Sequence, residues 1–572
     1  MKGRARRILE HMFAAETLEC METLIELWPG RMAPSAERNV ASIFRLVNVL
    51  DGSRPKHTVP AIFNAVYSRT NPSALEPGRR STLTAELSDV DVMVFLVAYA
   101  RSLEDDAMDE IWEDCMVFFR DVLANPFPHR QILPSLLGFA GILGEKVDNT
   151  NFGEQRKLRK ELGDLFLRLL TAVFTITPAG SRALEMAPSP IKTESDGGFE
   201  SKSEFRPTKP RIIPDDIVSI LVLIVPQLRK VVMEPDRVIT ASVSISTSLI
   251  GPTFRSKSFP QNVSPTILEL LFQLSKLPNN QKAWRKDLSD AFLDPRFFSS
   301  PTSLVLDKWI PLARQYIQAD RERLPELLSR LTPPTTAGVL FGVGAASARQ
   351  EADRRASLNL KRIAFLIFAA EPDMFVPRLS EVEEKLVELL SATAATSPSS
   401  ATRADIFLVL RVLALRTSPV HMSPLWPMVN AELHSALVSL TPDGDPEKVY
   451  NDQGVLQACK LLDTLLVLAP DEFQLHEWLF VTDTIEAVFH SSDWEPIALA
   501  DQVVRDIGGG KGETRKQRPW FSARETGDVR EMVSAFLRGL SIATYEGVYA
   551  MGKPNVEACE RGFLGDLFEE GI

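Results

Sequence analysis

Few residues in this chain have the types and spacing that chemistry needs. His476-Glu477-Trp478-Leu479-Phe480 opens like the helical H-E-x-x-H of zinc proteases, but Phe480 stands where the second histidine ligand should be. A metal held on one helix face loses half its imidazole ligands that way, so His476 reads as an ordinary core or surface histidine. Gly508-Gly-Gly-Lys511-Gly-Glu hints at a phosphate loop. Arg505 replaces the first glycine and Gly512 the hydroxyl residue, so it reads as a loop. Gly342-Val-Gly344 lacks the third glycine of a dinucleotide site. No G-x-S-x-G elbow occurs, and no cysteine has a histidine near it in sequence. A site assembled from distant residues such as His421, His434 and His476 is the remaining route to an enzyme. The reading is therefore not an enzyme, with no catalytic residue, no metal site and no cofactor.

Two clusters of charge invite a binding role. Glu104, Asp105, Asp106, Asp109, Glu110, Glu113 and Asp114 lack calcium-loop spacing and its glycine. They read as the acidic start of a helix, where carboxylates meet the positive end of the dipole. Residues 511–524 carry Lys511, Arg515, Lys516, Arg518 and Arg524 against only Glu513, followed by Trp520 and Phe521. Basic residues beside aromatics suit anionic headgroups or a partner, so Lys511, Arg515, Lys516, Arg518, Trp520 and Phe521 are a candidate contact site. The plainer reading is a solvated loop whose two aromatics anchor the next helix. Ser189-Pro190-Ile191-Lys192-Thr193-Glu194 resembles a sumoylation consensus beside a proline-directed phosphosite, a short match of a kind that recurs by chance.

The elements that carry these residues are helical throughout. Leu158, Leu162, Leu165, Phe166, Leu169, Leu170, Val173 and Phe174 form a single stripe of helical period, with Arg156, Lys157, Arg159, Lys160, Glu161, Asp164 and Arg168 opposite. The same pattern predicts helices near 5–28, 36–50, 57–68, 89–103, 106–124, 129–146 and 154–176. It continues near 215–232, 235–250, 265–277, 281–292, 303–319 and 322–331, and then near 347–370, 378–392, 402–416, 424–440, 452–469, 472–488, 497–506 and 525–551. The alternation of Val238 to Ile245 suits a strand but sits between helices. Many helices joined by short turns predict an all-α, irregular α-solenoid of HEAT/armadillo type with stacked antiparallel helices, its repeats too varied to show a fixed period. Pro60, Pro134, Pro226, Pro311 and Pro427 fall within apolar helical patterns, and the first-turn preference of proline favours that place for Pro60 and Pro427.

Composition divides the chain further. Residues 178–213, 332–346 and 508–520 are rich in Ser, Pro, Gly and charge and read as disordered insertions. The expected organisation is a helical block over 1–177, a linker over 178–213, a middle block over 214–331, a loop over 332–346 and a C-terminal block over 347–572. The 572 residues carry 45% hydrophobic and 24% charged side chains, an ordinary globular balance. A net charge of −11, spread along the chain, argues against a nucleic-acid partner. The apolar run Ile217 to Val225 is far short of the roughly 20 residues that span a bilayer. No signal peptide is evident, since Glu10, His11 and Glu16 interrupt the apolar residues after Arg4, Arg6 and Arg7. Cys20, Cys115, Cys459 and Cys559 are widely spaced and fit a reduced compartment.

Several segments carry a family resemblance. They are Leu358-Asn-Leu-Lys-Arg-Ile-Ala-Phe-Leu-Ile-Phe, Ala404-Asp-Ile-Phe-Leu-Val-Leu-Arg-Val-Leu-Ala-Leu-Arg-Thr-Ser-Pro, Ser423-Pro-Leu-Trp-Pro-Met-Val-Asn-Ala-Glu-Leu, Ala458-Cys-Lys-Leu-Leu-Asp and Phe473-Gln-Leu-His-Glu-Trp-Leu-Phe. In this order they resemble the C-terminal region of the Dopey family, as does Asp148-Asn-Thr-Asn-Phe-Gly-Glu-Gln-Arg-Lys-Leu-Arg-Lys-Glu-Leu-Gly-Asp-Leu-Phe. The family's N-terminal domain and long middle region have no counterpart here. The resemblance implies a non-enzymatic scaffold on the cytosolic face of Golgi and endosome membranes, with a cytoplasmic pool. It implies as partners a large scaffold related to Arf exchange factors, an aminophospholipid flippase complex and kinesin light chain, with peripheral membrane contact. The competing reading is a generic helical-repeat adaptor, or transport-receptor-like protein, that binds soluble cargo.

Overall fold

The computed structural model describes residues 2–28, 37–50, 54–82, 87–151, 156–176, 214–331, 345–391, 401–441, 449–482, 489, 491–493, 495, 498–507, 519–521, 528–550 and 554–568. Among them every regular element is a helix, and no strand occurs. The chain divides into two compact units, Met1–Leu288 and Ser289–Ile572.

The longer helices of the first unit are α1 (Lys2–Ala15), α2 (Thr17–Glu26), α3 (Glu37–Leu50), α4 (Pro55–Thr70), α5 (Asp89–Ser102), α6 (Met108–Ala124), α7 (Leu133–Asp148), α8 (Arg156–Ile176), α9 (Pro214–Ile224), α10 (Pro235–Ile245) and α11 (Pro265–Lys276). Alternate helices pack side by side: α2 on α4, α4 on α6 and α6 on α8 make one row, while α5, α7, α9 and α11 make the other. Two rows of alternate helices are how an α-solenoid buries apolar faces that no single repeat can bury alone. Local chemistry starts the helices. Ser88 caps α5 by accepting from the Asp91 N–H at 3.1 Å, and the Asp91 carboxylate returns to the Ser88 N–H. Ser264 caps α11 ahead of Pro265.

α9 and the short helix after it come close on α7, where Gly138, Gly141 and Gly144 recur every third residue. A Cβ on Gly144 would lie 2.9 Å from the Val231 Cα, and one on Gly141 2.8 Å from Ile224 Cγ1, so only glycine admits the neighbouring chain. The helices on either side of 178–213 thus belong to one unit; residues 177–213 themselves lie outside the described residues.

The second unit carries α13 (Ile310–Ala319), α14 (Arg323–Ser329), α15 (Ala345–Ala369), α16 (Leu379–Leu390), α17 (Ala401–Arg416), α18 (Trp426–Val438), α19 (Asp452–Leu468), α20 (Leu499–Ile507), α21 (Val529–Ala550) and α22 (Val556–Leu567), with α12 (Gln281–Leu293) preceding them. Here α15, α17, α19 and α21 form the central row, and α18 and α20 pair beside it. The all-α, irregular helical-repeat architecture expected from the periodicity is the observed one.

Several local readings change. Pro60 is not in a first turn: α4 starts at Pro55 and continues through Pro60, because burial of Val59, Ile62, Phe63 and Val66 outweighs one lost backbone bond. Pro427 and Pro134 do occupy first turns, of α18 and α7. Pro226 breaks the 215–232 pattern into α9, a 3₁₀ turn and a short helix at Leu228–Val231. Pro311 follows a π-helical turn at Val305–Trp309 that lets the helix run on. The Val238–Ile245 alternation is helix, and Thr240 and Ser242 return their hydroxyls to carbonyls four residues back.

α19 ends on Ala469, whose φ of 44° is left-handed, with its N–H on Leu465 O at 2.8 Å. Alanine pays a Cβ clash there that glycine avoids. Ala469→Gly is therefore expected to raise local stability by about 0.5–1 kcal/mol, read from hydrogen exchange across α19.

Candidate interaction sites

Of the candidate contact residues, Trp520 and Phe521 are described, and both are buried. Their rings stand 4.7 Å apart and pack on Phe536 of α21 at 5.7 and 4.8 Å. Both backbone N–H groups donate to Asp463 Oδ2 of α19, at 2.6 and 3.2 Å. The two aromatics thus face the core in this structure and present no apolar side chain to a membrane. Lys511, Arg515, Lys516 and Arg518 lie outside the described residues, as do the glycines at 342, 344 and 508–510.

The remaining chemical candidates are dispersed or engaged. Among the described residues, no group of three His, Cys, Asp or Glu side chains is placed to hold a metal ion. His476 precedes a single 3₁₀ turn at Glu477–Leu479, and Phe480 is buried behind it. Asp105 accepts from Asn149 Nδ2 at 2.9 Å and Lys146 Nζ at 3.1 Å. Those bonds, Asn149's first, hold its carboxyl below the usual range. No described helix is long and apolar enough to cross a membrane.

Burial pushes the thiols of Cys115, Cys459 and Cys559 up, the last to about 12, so none is a ready nucleophile. Only Cys20 is partly exposed. One thiol is accordingly expected to react with a soluble disulfide reagent in the native chain and four after denaturation.

Among the described residues of the second unit lies a buried ionic cluster that the sequence pattern did not reveal. Asp566 on α22 lies between Arg411 of α17 and Lys460 of α19, their side chains 6%, 3% and 3% exposed. Arg411 Nη1 donates to Asp566 Oδ2 at 2.6 Å, Lys460 Nζ donates to Oδ1, and Arg411 Nε donates to Thr464 Oγ1 at 3.1 Å. Gly562 makes room, since a Cβ there would sit 3.0 Å from Arg411 Nη2. The cluster fixes α22 and offers no open face to a substrate. The periodicity ends the last expected helix at 551, so α22 and its aspartate had no place in it. The one available signal was Asn555, which caps α22 by accepting from the Ala558 N–H at 3.1 Å.

In the first unit, α5, α7 and α9 enclose a surface groove of about 230 Å³. Val94, Val97 and Leu223 line it, the last 59% exposed, and Arg101 and Glu145 form a polar rim, Glu145 accepting from Gln227 Nε2 at 2.8 Å. The volume is below the roughly 300 Å³ at which small-molecule pockets begin, but it accommodates one or two apolar anchors of a partner helix.

The DOP1 C-terminal family matches residues 95–550. Protein dop1 of Emericella nidulans is 48% identical over all of this chain and 31% of its own length. Protein DOP1 of Saccharomyces cerevisiae is 24% identical over 99% of this chain and 32% of its own length. For protein DOP1B of Mus musculus the identity is 25%, over 88% of this chain and 24% of that protein. The chain thus spans about a third of the two fungal relatives. No solved structure matches it. The family match takes in most of both units and includes the segments that first suggested it, so the chain belongs to the DOP1 C-terminal, or Dopey, family.

Proposed function

We propose that the chain is a non-enzymatic helical scaffold in endosome-to-Golgi vesicle transport, acting by protein–protein binding within a membrane-associated complex. Family membership over residues 95–550 carries this reading. The two-row helical architecture supports it, because such stacks present grooves of apolar anchors with polar rims, as between α5, α7 and α9. The partners proposed are a large Arf-exchange-factor-related scaffold, an aminophospholipid flippase complex and kinesin light chain. The place proposed is the cytosolic face of Golgi and endosome membranes, with a cytoplasmic pool. The basic residues Lys511, Arg515, Lys516 and Arg518 are the proposed contribution to peripheral membrane contact.

The test is affinity capture of the tagged chain at moderate salt, with the scaffold and the flippase quantified, beside imaging of the chain against Golgi and endosome markers. Recovery of either partner with organelle enrichment is the expected result. A diffuse distribution with soluble cargo alone would establish the generic adaptor instead.

A further inference from the structure

Two turn regions of the second unit lie side by side. After α17 the chain makes single turns at Pro419–His421 and Ser423–Leu425 before α18. After α19 it makes single turns at Asp471–Gln474 and Glu477–Leu479. The Ser423 hydroxyl donates to the Glu472 carboxylate across them, and the Trp426 and Phe473 rings meet beneath at 5.8 Å. Met422, Leu425, Trp426, Phe473 and Phe480 face the core, so the inward positions of both regions are already filled. Large apolar side chains nevertheless also face outward: Val420 is 72% exposed, Leu475 71% and Trp478 61%.

An exposed tryptophan on turn regions that also expose two aliphatic side chains has the composition of an interface hot spot. Its surroundings select the partner. Asp471, Glu472 and Glu477 border it, and neither 417–428 nor 461–482 contains a lysine or arginine. Such a rim repels anionic headgroups and nucleic acid. A second copy meeting it symmetrically would bring its own carboxylates against these. A cationic segment meets no such repulsion, and its own charge speeds and orients the encounter.

We infer that Val420, Leu475 and Trp478, with Asp471, Glu472 and Glu477, form a docking surface for a cationic amphipathic segment of another protein, one with apolar anchors flanked by Lys or Arg. The inference rests on the chain being a binding scaffold, but its test needs only purified protein, so it fails or stands independently of organelle placement.

The experiment is fluorescence anisotropy of the whole chain with two labelled helical peptides that share a leucine stripe, one flanked by lysine and the other by glutamate. The lysine peptide should bind at least about tenfold tighter and weaken several-fold from about 50 to 300 mM salt. Trp478→Ala should weaken it about tenfold or more. Leu475→Asp should do the same, while Val117→Asp, at an exposed position of α6 outside the groove of α5, α7 and α9, should change nothing. Both residues at the patch are exposed, so circular dichroism should show the variants folded. No binding of either peptide, equal binding of both, or indifference to Trp478→Ala would overturn the assignment. Vesicle binding, or concentration-dependent dimerisation, that Trp478→Ala abolishes would also overturn it, by assigning the patch to a membrane or to a second copy.

Discussion

Replacing Asp566 with alanine is expected to destabilise the second unit by about 3–5 kcal/mol. The carboxylate accepts from both Arg411 and Lys460, and all three side chains are almost fully buried. Removing it strands two cations away from water, which costs more than the lost pair attraction. Asp463, three residues beyond Lys460 on α19, is engaged by the Trp520 and Phe521 N–H groups. It is therefore not free to take over. Asp566→Asn keeps one acceptor oxygen and should cost less than alanine. Replacing all three together, Arg411→Met, Lys460→Met and Asp566→Leu, should recover most of the loss, since an apolar set of similar volume replaces a desolvated ionic one. Because the chain has two units, hydrogen exchange across α22 is the proper readout, with the opening free energy compared between variants. A loss below about 1 kcal/mol would mean that water reaches the cluster and that the charges are not effectively buried.

What the sequence disclosed, and what it hid, follows from period. The α8 stripe from Leu158 to Phe174 is regular enough to place both the helix and its buried face, and Leu162, Leu165, Phe166, Leu169, Leu170 and Val173 are buried as expected. The central row is equally plain, because α17 and α19 are apolar over several turns. α22 is different: Gly562 and Gly565 lower its helix propensity, and the glycines with three acidic residues in Val556–Phe568 blur its stripe. Its helix forms because tertiary contacts hold it, and those come from residues more than a hundred positions away. Pro60 shows the same override from the other side, a helix persisting where local rules place a boundary.

The contact surfaces were less legible than the fold. Trp478 and Phe480 are two residues apart in one short motif, yet the first is exposed and the second buried. A stretch built from single turns has no sustained period, so the outward direction of Trp478 depends on the turn beneath it and not on the residue pattern. Trp520 and Phe521 are the converse case. Their place after a basic run offered a surface role, but the plainer reading, aromatics that anchor the next helix, is the observed one, with both rings on Phe536 of α21 and their backbone N–H groups held by Asp463.

Phe297→Ala is expected to cost about 3–5 kcal/mol, comparable to the loss of Asp566 and by a different mechanism. Its ring lies 5.1 Å from Phe292, 5.5 Å from Phe298, 5.1 Å from Trp309, 5.2 Å from Phe365 and 5.5 Å from Phe568. The void already beside this cluster is only about 20 Å³, so the neighbours are close-packed. Rigid rings cannot collapse into the space a phenyl leaves, which keeps the cavity term large. Phe297→Leu retains most of the volume and should cost less than half as much. Phe568 directly follows α22, two residues after Asp566, so the aromatic cluster and the ionic cluster hold the same helix. Once either is lost and α22 loosens, losing the other should cost less. The double variant with Asp566→Ala is thus expected to fall short of additivity by about 1–2 kcal/mol. Exchange rates on α22 in the two single variants and the double test this directly. Strict additivity would show that α22 is held by two independent attachments, and that it does not leave the unit as one cooperative piece.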